Sequence, residues 1–151
     1  MAEMYRYLCS DEAISNDTFP PSSKGLPMPT TTCQGGCLCG FIRYRAQGPA
    51  ENPHTCSCRN CQQHTGALTA LWIEFPKDSV EWTGAGGEPA LFRSSDYSSR
   101  AFCPRCGSSL GAIDDEPRVA LLAGTFDDPM AEALKPDHHA FEDGRPHWWR
   151  P

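Results

Sequence analysis

Three cysteines lie within six residues in the stretch Cys56-Ser57-Cys58-Arg59-Asn60-Cys61. Two further close groups flank this stretch, Cys37-Leu38-Cys39 before it and Cys103-Pro104-Arg105-Cys106-Gly107 after it. Seven thiols at such short spacing are typical of metal ligands rather than of a packed core. We therefore expect the fold to be organised around bound metal.

The spacing divides these cysteines into a group of four and a group of three. A Cys-x-Cys in extended backbone directs both thiols to one face, because side chains alternate with period two. A Cys-x-x-Cys followed by Gly is typical of a zinc knuckle, whose turn favours the positive φ that Gly adopts. One pair of each kind closes a four-thiolate zinc site, made of Cys37, Cys39, Cys103 and Cys106. No coordination position is left open, so we expect this zinc to be structural.

The remaining thiolates are those of Cys56, Cys58 and Cys61. Three protein ligands and an open position are the arrangement of a catalytic zinc, so we expect two zinc ions per chain. The fourth position is open to water, to a substrate thiol, or to a side chain such as Cys33, His54 or His64. The alternative is that the three cysteines pair with one flanking group and the others bind no metal.

A zinc with three thiolates is a weak Lewis acid, because the thiolates donate strongly to it. It is better suited to binding a soft sulfur ligand than to activating water. A zinc-bound thiol stays deprotonated at neutral pH, where a free thiol of pKa about 8.5 is mostly protonated. Such a thiolate can add to an aldehyde carbon, so we expect a small thiol or aldehyde substrate.

The composition of the 151-residue chain predicts a soluble protein with one main folded domain. No apolar run is long enough to span a membrane, and no basic segment followed by an apolar stretch indicates a secretory signal. We expect a cytoplasmic protein, where thiols stay reduced and nine cysteines favour metal over disulfides. The net charge of −6 argues against nucleic acid as a partner, and a homo-oligomer is compatible with the sequence.

The chain divides at residue 33. Residues 1–33 form an N-terminal extension whose prolines and serines are typical of partly disordered linkers, and 34–151 form the zinc-binding domain. Cys9 and Cys33 fall outside the tight groups, and we expect both to remain reduced thiols outside the metal sites.

The hydrophobic pattern favours strands. Ile42, Tyr44 and Ala46 alternate with two arginines, which predicts a half-buried strand that ends at Gly48-Pro49. Further strands are predicted at 67–75, 80–82, 90–93, 100–102, 109–113 and 118–126, the last a central strand, and the histidines near residue 138 fit a terminal strand. Helix is limited to 59–64 and to a turn or two at 129–134. The sequence therefore predicts an all-β fold of small, zinc-pinned antiparallel sheets.

Taken together, these motifs resemble the glutathione-dependent formaldehyde-activating enzyme family. The match covers about residues 34–149 and includes the order and spacing of all seven clustered cysteines. Ser57 departs from the family pattern, since many members have His there. The motifs that carry the resemblance are Gly35-Gly36-Cys37-Leu38-Cys39-Gly40, Cys56 to Cys61 with Thr65-Gly66-Ala67, Arg100 to Ser108, Ala123 to Asp128, and His139-Ala140-Phe141 through Trp148.

The resemblance implies a β-tent fold and a carbon–sulfur lyase activity, in which glutathione and formaldehyde give S-hydroxymethylglutathione. Glutathione carries two carboxylates, so we expect positive groups near the open zinc, with Arg59 and Arg100 as candidate contacts. Two alternatives stay open. Centromere protein V, in the same superfamily, is a precedent for a non-catalytic zinc scaffold, and the same chemistry can act on another thiol.

Overall fold

The computed structural model describes residues 31–150. Most of the predicted N-terminal extension, Cys9 included, lies outside the described residues. The first strand begins at Thr31, so the last residues assigned to the extension form part of a sheet.

The described residues form ten strands, one α-helix and four short 3-10 turns. The strands are β1 (Thr31–Gly36), β2 (Arg43–Gly48), β3 (Glu51–Cys56), β4 (Ala70–Pro76), β5 (Val80–Trp82), β6 (Ala90–Arg93), β7 (Ser98–Phe102), β8 (Ser109–Asp114), β9 (Arg118–Leu122) and β10 (His138–Ala140). The helix α1 (Arg59–Thr65) follows β3, and the 3-10 turns are Lys77–Ser79, Ala123–Thr125, Glu132–Leu134 and Glu142–Gly144.

The strands form two sheets. The smaller sheet has the order β1-β2-β5, and the larger has the order β10-β3-β4-β9-β8-β7-β6. The predicted all-β class is confirmed, and β9 is the central strand of the larger sheet, as expected. One feature differs from a purely antiparallel arrangement: β10 pairs with β3 in parallel, because the C-terminal segment returns along the free edge of β3.

The main hydrophobic core lies between the two sheets. The predicted alternation is confirmed, since Ile42, which directly precedes β2, and Tyr44 and Ala46 within β2 are each at most 1% exposed. The Tyr44 ring makes edge-on contacts with Trp82 and Phe126, with centroids 5.8 and 5.6 Å away. Burying each large apolar side chain contributes about 1.5–3 kcal/mol, so this layer holds the sheets together.

The observed bounds differ from the predicted ones where turns intervene. The strand expected at 118–126 ends at Leu122, because the chain then forms a 3-10 turn in which the Thr125 hydroxyl donates to the Leu122 carbonyl (2.7 Å). The strand expected from residue 67 begins at Ala70, after α1 ends at Gly66 with φ +72°. The helical turns expected at 129–134 reduce to Glu132–Leu134.

The hydrophobic pattern of the sequence did not predict the strand β3. Its sequence includes Asn52 and Pro53, which are both unfavourable in strands. The structure accommodates them at an irregularity between Glu51 and His54, where the register with β4 shifts and Asn52 has φ +47°. Proline is tolerated at such a bulge because the ladder is already interrupted there.

No helix in the described part of the chain is long and apolar enough to cross a membrane.

Candidate metal centres and adjoining cavities

The four-cysteine group forms where a turn of the smaller sheet lies against a turn of the larger sheet. Cys37 and Cys39 lie in the turn between β1 and β2, and Cys103 and Cys106 lie in the turn between β7 and β8. All four Sγ atoms lie within 4.8 Å of one another. The Sγ atoms of Cys37 and Cys39 are 3.6 Å apart, and those of Cys39 and Cys103 are 3.9 Å apart. A tetrahedral metal with bonds of about 2.3 Å to sulfur needs sulfur separations of about 3.8 Å, so this group fits zinc.

The backbone of both turns is shaped for this arrangement. Gly40 and Gly107 have φ of +72° and +75°, and their N–H groups close the turns onto Cys37 O (3.0 Å) and Cys103 O (2.9 Å). The Leu38 N–H donates across to Ser108 Oγ at 3.1 Å. A metal at this site would therefore join the two sheets.

Hydrogen bonds favour the deprotonated form of part of this group. The Ser108 hydroxyl and then the Ser108 backbone lower the pKa of Cys106 to about 5. Burial opposes ionisation at Cys37, but bonds from the Ile42 backbone and neighbouring thiols outweigh it and leave its pKa lowered. The Phe41 backbone favours ionisation of Cys39 as well, but burial and the neighbouring thiols raise the pKa of Cys39 to about 11. Thiolates are the form that binds metal, so a bound cation is needed for all four thiols to be deprotonated together.

The second group sits at the junction of β3 and α1. Cys56 ends β3, Cys58 precedes α1 and Cys61 lies in its first turn, and their Sγ atoms lie within 4.8 Å of one another. Cys56 and Cys61 are 5% exposed and pack against Ala70, Trp72 and Leu122, whereas Cys58 is half-buried. Burial raises the pKa of Cys61, and the neighbouring thiols raise it further. Deprotonation of all three thiols of the trio therefore requires a bound metal cation.

Among residues 31–150, no fourth Cys, His or carboxylate joins the trio. Cys33 is buried in the core between the sheets. His54 Nδ1 lies 2.8 Å from Asn52 O, and its ring stacks on that of His138 in β10. His64 stacks instead on Trp72, with centroids 6.3 Å apart. The trio therefore offers three protein ligands within the described part of the chain.

The C-terminal segment packs on the loop that carries the trio. Ser57 is fully buried, and its Oγ lies 2.9 Å from Thr69 Oγ1 and 3.0 Å from His139 Nε2. The indole N–H of Trp149 donates to the same Thr69 oxygen at 3.0 Å. Gly144 lies so close that an added Cβ would be 2.4 Å from Ser57 O. The sequence pattern indicated only a packed terminal strand and missed this network.

A groove of about 930 Å³ lies between the trio and the four-cysteine turns. Its lining includes Cys37 from one group and Ala70 and Leu122, which also contact the trio. Two of its lining residues form a bidentate pair, in which Arg43 Nη1 donates to Asp127 Oδ1 at 2.9 Å and joins β2 to the segment after β9. This groove is large enough for a small organic ligand.

The two candidate arginines differ in their surroundings. Arg59 is exposed, and its nearest polar contact is Gln62 Oε1 at 3.5 Å. Arg100 is half-buried, with its guanidinium carbon 5.6 Å from the centre of the Trp72 ring, and it lines a cavity of about 340 Å³ beside α1. Of the two aspartates after β9, Asp127 pairs with Arg43, and Asp128 accepts from the Met130 N–H at 3.0 Å, as a turn cap.

The fold and the two cysteine groups define a small all-β protein equipped to bind metal at two places. The chain belongs to the glutathione-dependent formaldehyde-activating enzyme family, whose profile matches residues 32–144. The resemblance inferred from the motifs is therefore confirmed. The fold is also similar to that of a Rhodobacter sphaeroides protein known from a crystal structure, with a TM-score of 0.54 and 14% identity over 71% of this chain and 99% of that chain.

Proposed function

We propose that this protein is a zinc-dependent carbon–sulfur lyase that interconverts glutathione plus formaldehyde with S-hydroxymethylglutathione. The observation that carries the proposal is the trio itself: three thiols gathered at one point, with no fourth protein ligand among residues 31–150. Membership of a glutathione-dependent formaldehyde-activating family supports the choice of substrates.

The reaction needs no oxidant or further reactant. A bond forms between the glutathione sulfur and the formaldehyde carbon, and the carbon–oxygen π bond breaks. The carbonyl oxygen takes up a proton and the thiol loses one, so atoms and charge balance. The reverse reaction breaks the carbon–sulfur bond and returns both substrates.

Two zinc ions per chain would be held by this chain's own cysteines. Cys37, Cys39, Cys103 and Cys106 would hold the structural ion, and Cys56, Cys58 and Cys61 the catalytic one. When bound at the trio, zinc supplies a soft centre that favours a sulfur ligand and keeps a thiol deprotonated at neutral pH.

The protein around the trio contributes positioning and exclusion of water. Trp72 and Leu122 are at most 8% exposed and cover the trio with apolar surface. Ser57, held by Thr69 and His139, fixes the backbone between the first two ligands. A thiolate in such an apolar site is poorly hydrated, which favours its reaction with a carbon electrophile.

We also propose a cytoplasmic location, because seven ligand thiols require a reducing compartment. The half-buried position of Arg100 supports it as a glutathione contact, whereas exposed Arg59 has weaker support.

Thiols add to formaldehyde without a catalyst, so product formation alone does not test the activity. The informative quantity is the exchange rate between free and hydroxymethyl glutathione at equilibrium, measured by NMR. We expect native protein to accelerate this exchange and the Cys61→Ser variant, folded but lacking one ligand, to lose most of the acceleration. An unchanged rate with native protein, or full activity in the variant, would contradict the proposal.

A further inference from the structure

Three side chains beside α1 leave buried polar atoms without hydrogen-bond partners. Within residues 31–150 these atoms are His64 Nε2, Trp72 Nε1 and Arg100 Nε, and no other side-chain nitrogen or oxygen there shares this condition. The three side chains form one stack: the His64 ring lies nearly parallel to Trp72 (12°), and Arg100 packs over the same indole. Buried polar groups nearly always have partners, so three in one cluster indicate a place for a polar ligand.

Two of these side chains, His64 and Arg100, line the same cavity of about 340 Å³. α1 forms one wall, and the hairpin of β6 and β7 with the start of β8 forms the other. The remaining lining offers amides, hydroxyls and two aromatic rings, from Asn60, Gln63, Ser94, Ser109, Phe92 and Phe102. These groups suit a ligand that combines peptide-like polar atoms with methylenes.

The charge of the cavity is positive. Arg100 lines it, no Asp or Glu does, and Arg100 takes part in none of the ion pairs among the described residues. By contrast, the cavities lined by Arg43, Arg118 and Arg145 each include a carboxylate. In a chain of net charge −6, an arginine left facing a cavity without a carboxylate is suited to an anionic ligand.

His64 supplies a different hydrogen-bonding character. Burial and then the charge of Arg100 lower the pKa of His64, so its ring is neutral near pH 7. Its hydrogen bond to the Gly111 backbone must come from Nδ1, because Nε2 has no partner. In the neutral ring Nε2 is then an acceptor, whereas the Arg100 guanidinium only donates. A carboxylate that lies close to an N–H group matches this pair.

The cavity and the trio are separated by one layer of side chains. Cys61 and His64 are on the same helix, and Trp72 packs against the cysteine cluster while Arg100 and His64 cover its ring. The strand register places Arg100 opposite Ala112, Ala112 opposite Ala120, and Trp72 opposite Leu122, so Arg100 and Trp72 share one face of the larger sheet. A ligand in the cavity is therefore close to the metal ligands.

We propose that this cavity is the subsite for a carboxylate-bearing arm of the substrate thiol, with Arg100 donating to the carboxylate and His64 Nε2 accepting from a neighbouring N–H group. The inference rests on the proposed function, since it names which part of the thiol the protein recognises. It makes Arg100 a determinant of substrate choice, so that the protein distinguishes a peptide thiol from a thiol without a carboxylate.

The first test compares two thiols in the exchange measurement. Arg100→Gln should raise KM for glutathione about tenfold or more, since a hydrogen bond to a charged group contributes about 1.5–3 kcal/mol, with a smaller effect on kcat. With 2-mercaptoethanol, which has no carboxylate, the same variant should match native protein. Arg45→Gln is the control, because it removes the same charge from an exposed arginine on the smaller sheet. Equal losses with both thiols, or no loss with glutathione, would overturn the inference.

The second test separates the subsite from catalysis. S-methylglutathione has no free thiol, so its binding reports the rest of the site. NMR should show a saturable shift of the Trp72 indole N–H signal. Arg100→Gln should weaken the affinity for S-methylglutathione at least tenfold. Gln63→Glu should do the same, because it places a carboxylate at the cavity wall on the exposed side of α1. The diethyl ester of S-methylglutathione should not produce the shift.

The two tests fail differently. If native protein accelerates exchange with neither thiol, the proposed function is wrong, and the binding of S-methylglutathione still decides the subsite. Equal affinities for native, Arg100→Gln and Gln63→Glu proteins would overturn the subsite while leaving the lyase activity intact.

Discussion

The two cysteine groups should make unequal contributions to stability, because they close chain loops of very different length. Metal at the four-cysteine site joins Cys39 to Cys103, 64 positions apart, and a cross-link of that span stabilises by about 4 kcal/mol in the chain-entropy model. The trio spans only from Cys56 to Cys61, five positions, which corresponds to about 2 kcal/mol. For a domain of this size, 1 kcal/mol shifts Tm by roughly 4 °C. We therefore expect Cys103→Ser to lower Tm by about 16 °C and Cys61→Ser by about 8 °C.

The substitutions are matched, since Cys103 is 0% and Cys61 is 5% exposed, so the cost of burying a hydroxyl is similar in both. Thermal unfolding followed by circular dichroism, with zinc present and thiols reduced, measures the difference. In metal-free protein the two variants should differ little, because neither cross-link is then present. Equal losses of Tm with zinc bound would refute the reasoning, as would a Cys61→Ser protein less stable than Cys103→Ser.

Three further substitutions test particular contacts. Tyr44→Phe should lower Tm by about 4 °C in thermal unfolding, because it removes a hydrogen bond of about 1 kcal/mol to the Thr125 hydroxyl (2.7 Å), and an unchanged Tm would contradict that contact. Gly144→Ala should speed the removal by a chelator of the zinc at the trio but not of the zinc at the four-cysteine site, because the added Cβ would lie 2.4 Å from Ser57 O, beside the trio. Ser57→Ala should shift Trp149 fluorescence to longer wavelength by loosening the C-terminal segment, and an unaltered spectrum would argue against the Ser57 network.

Much of the fold could be predicted because local patterns and tertiary packing agree. At β2 and the residue before it, the alternation of Ile42, Tyr44 and Ala46 with arginines matches a strand with one buried face. The short apolar runs 80–82 and 90–93 are strands with those same bounds. By contrast, β3 forms because it lies between β4 and β10, which supply its hydrogen bonds in spite of Asn52 and Pro53. Long-range pairing of this kind leaves no signal in local propensity.

The candidate site likewise has one part that could be predicted from the sequence and one part that could not. The grouping of the cysteines followed from spacing, because Cys-x-Cys and Cys-x-x-Cys geometry is local. The Arg100 cavity could not be predicted, because it depends on the register of β7 with β8 and on the placement of α1 against Trp72. The sequence likewise contains no indication that Ser57 bonds to Thr69 and His139, since His139 is 82 positions away from Ser57.

The central claim is that a thiol joins the open metal position at Cys56, Cys58 and Cys61 through its sulfur. X-ray absorption at the zinc edge counts sulfur neighbours directly. With two zinc ions bound as proposed, the seven clustered cysteines would give an average of 3.5 sulfur neighbours per metal, and bound glutathione should raise this average to 4. The Cys61→Ser variant should start lower and show a weaker response. An average that glutathione leaves unchanged in the native protein would contradict the account.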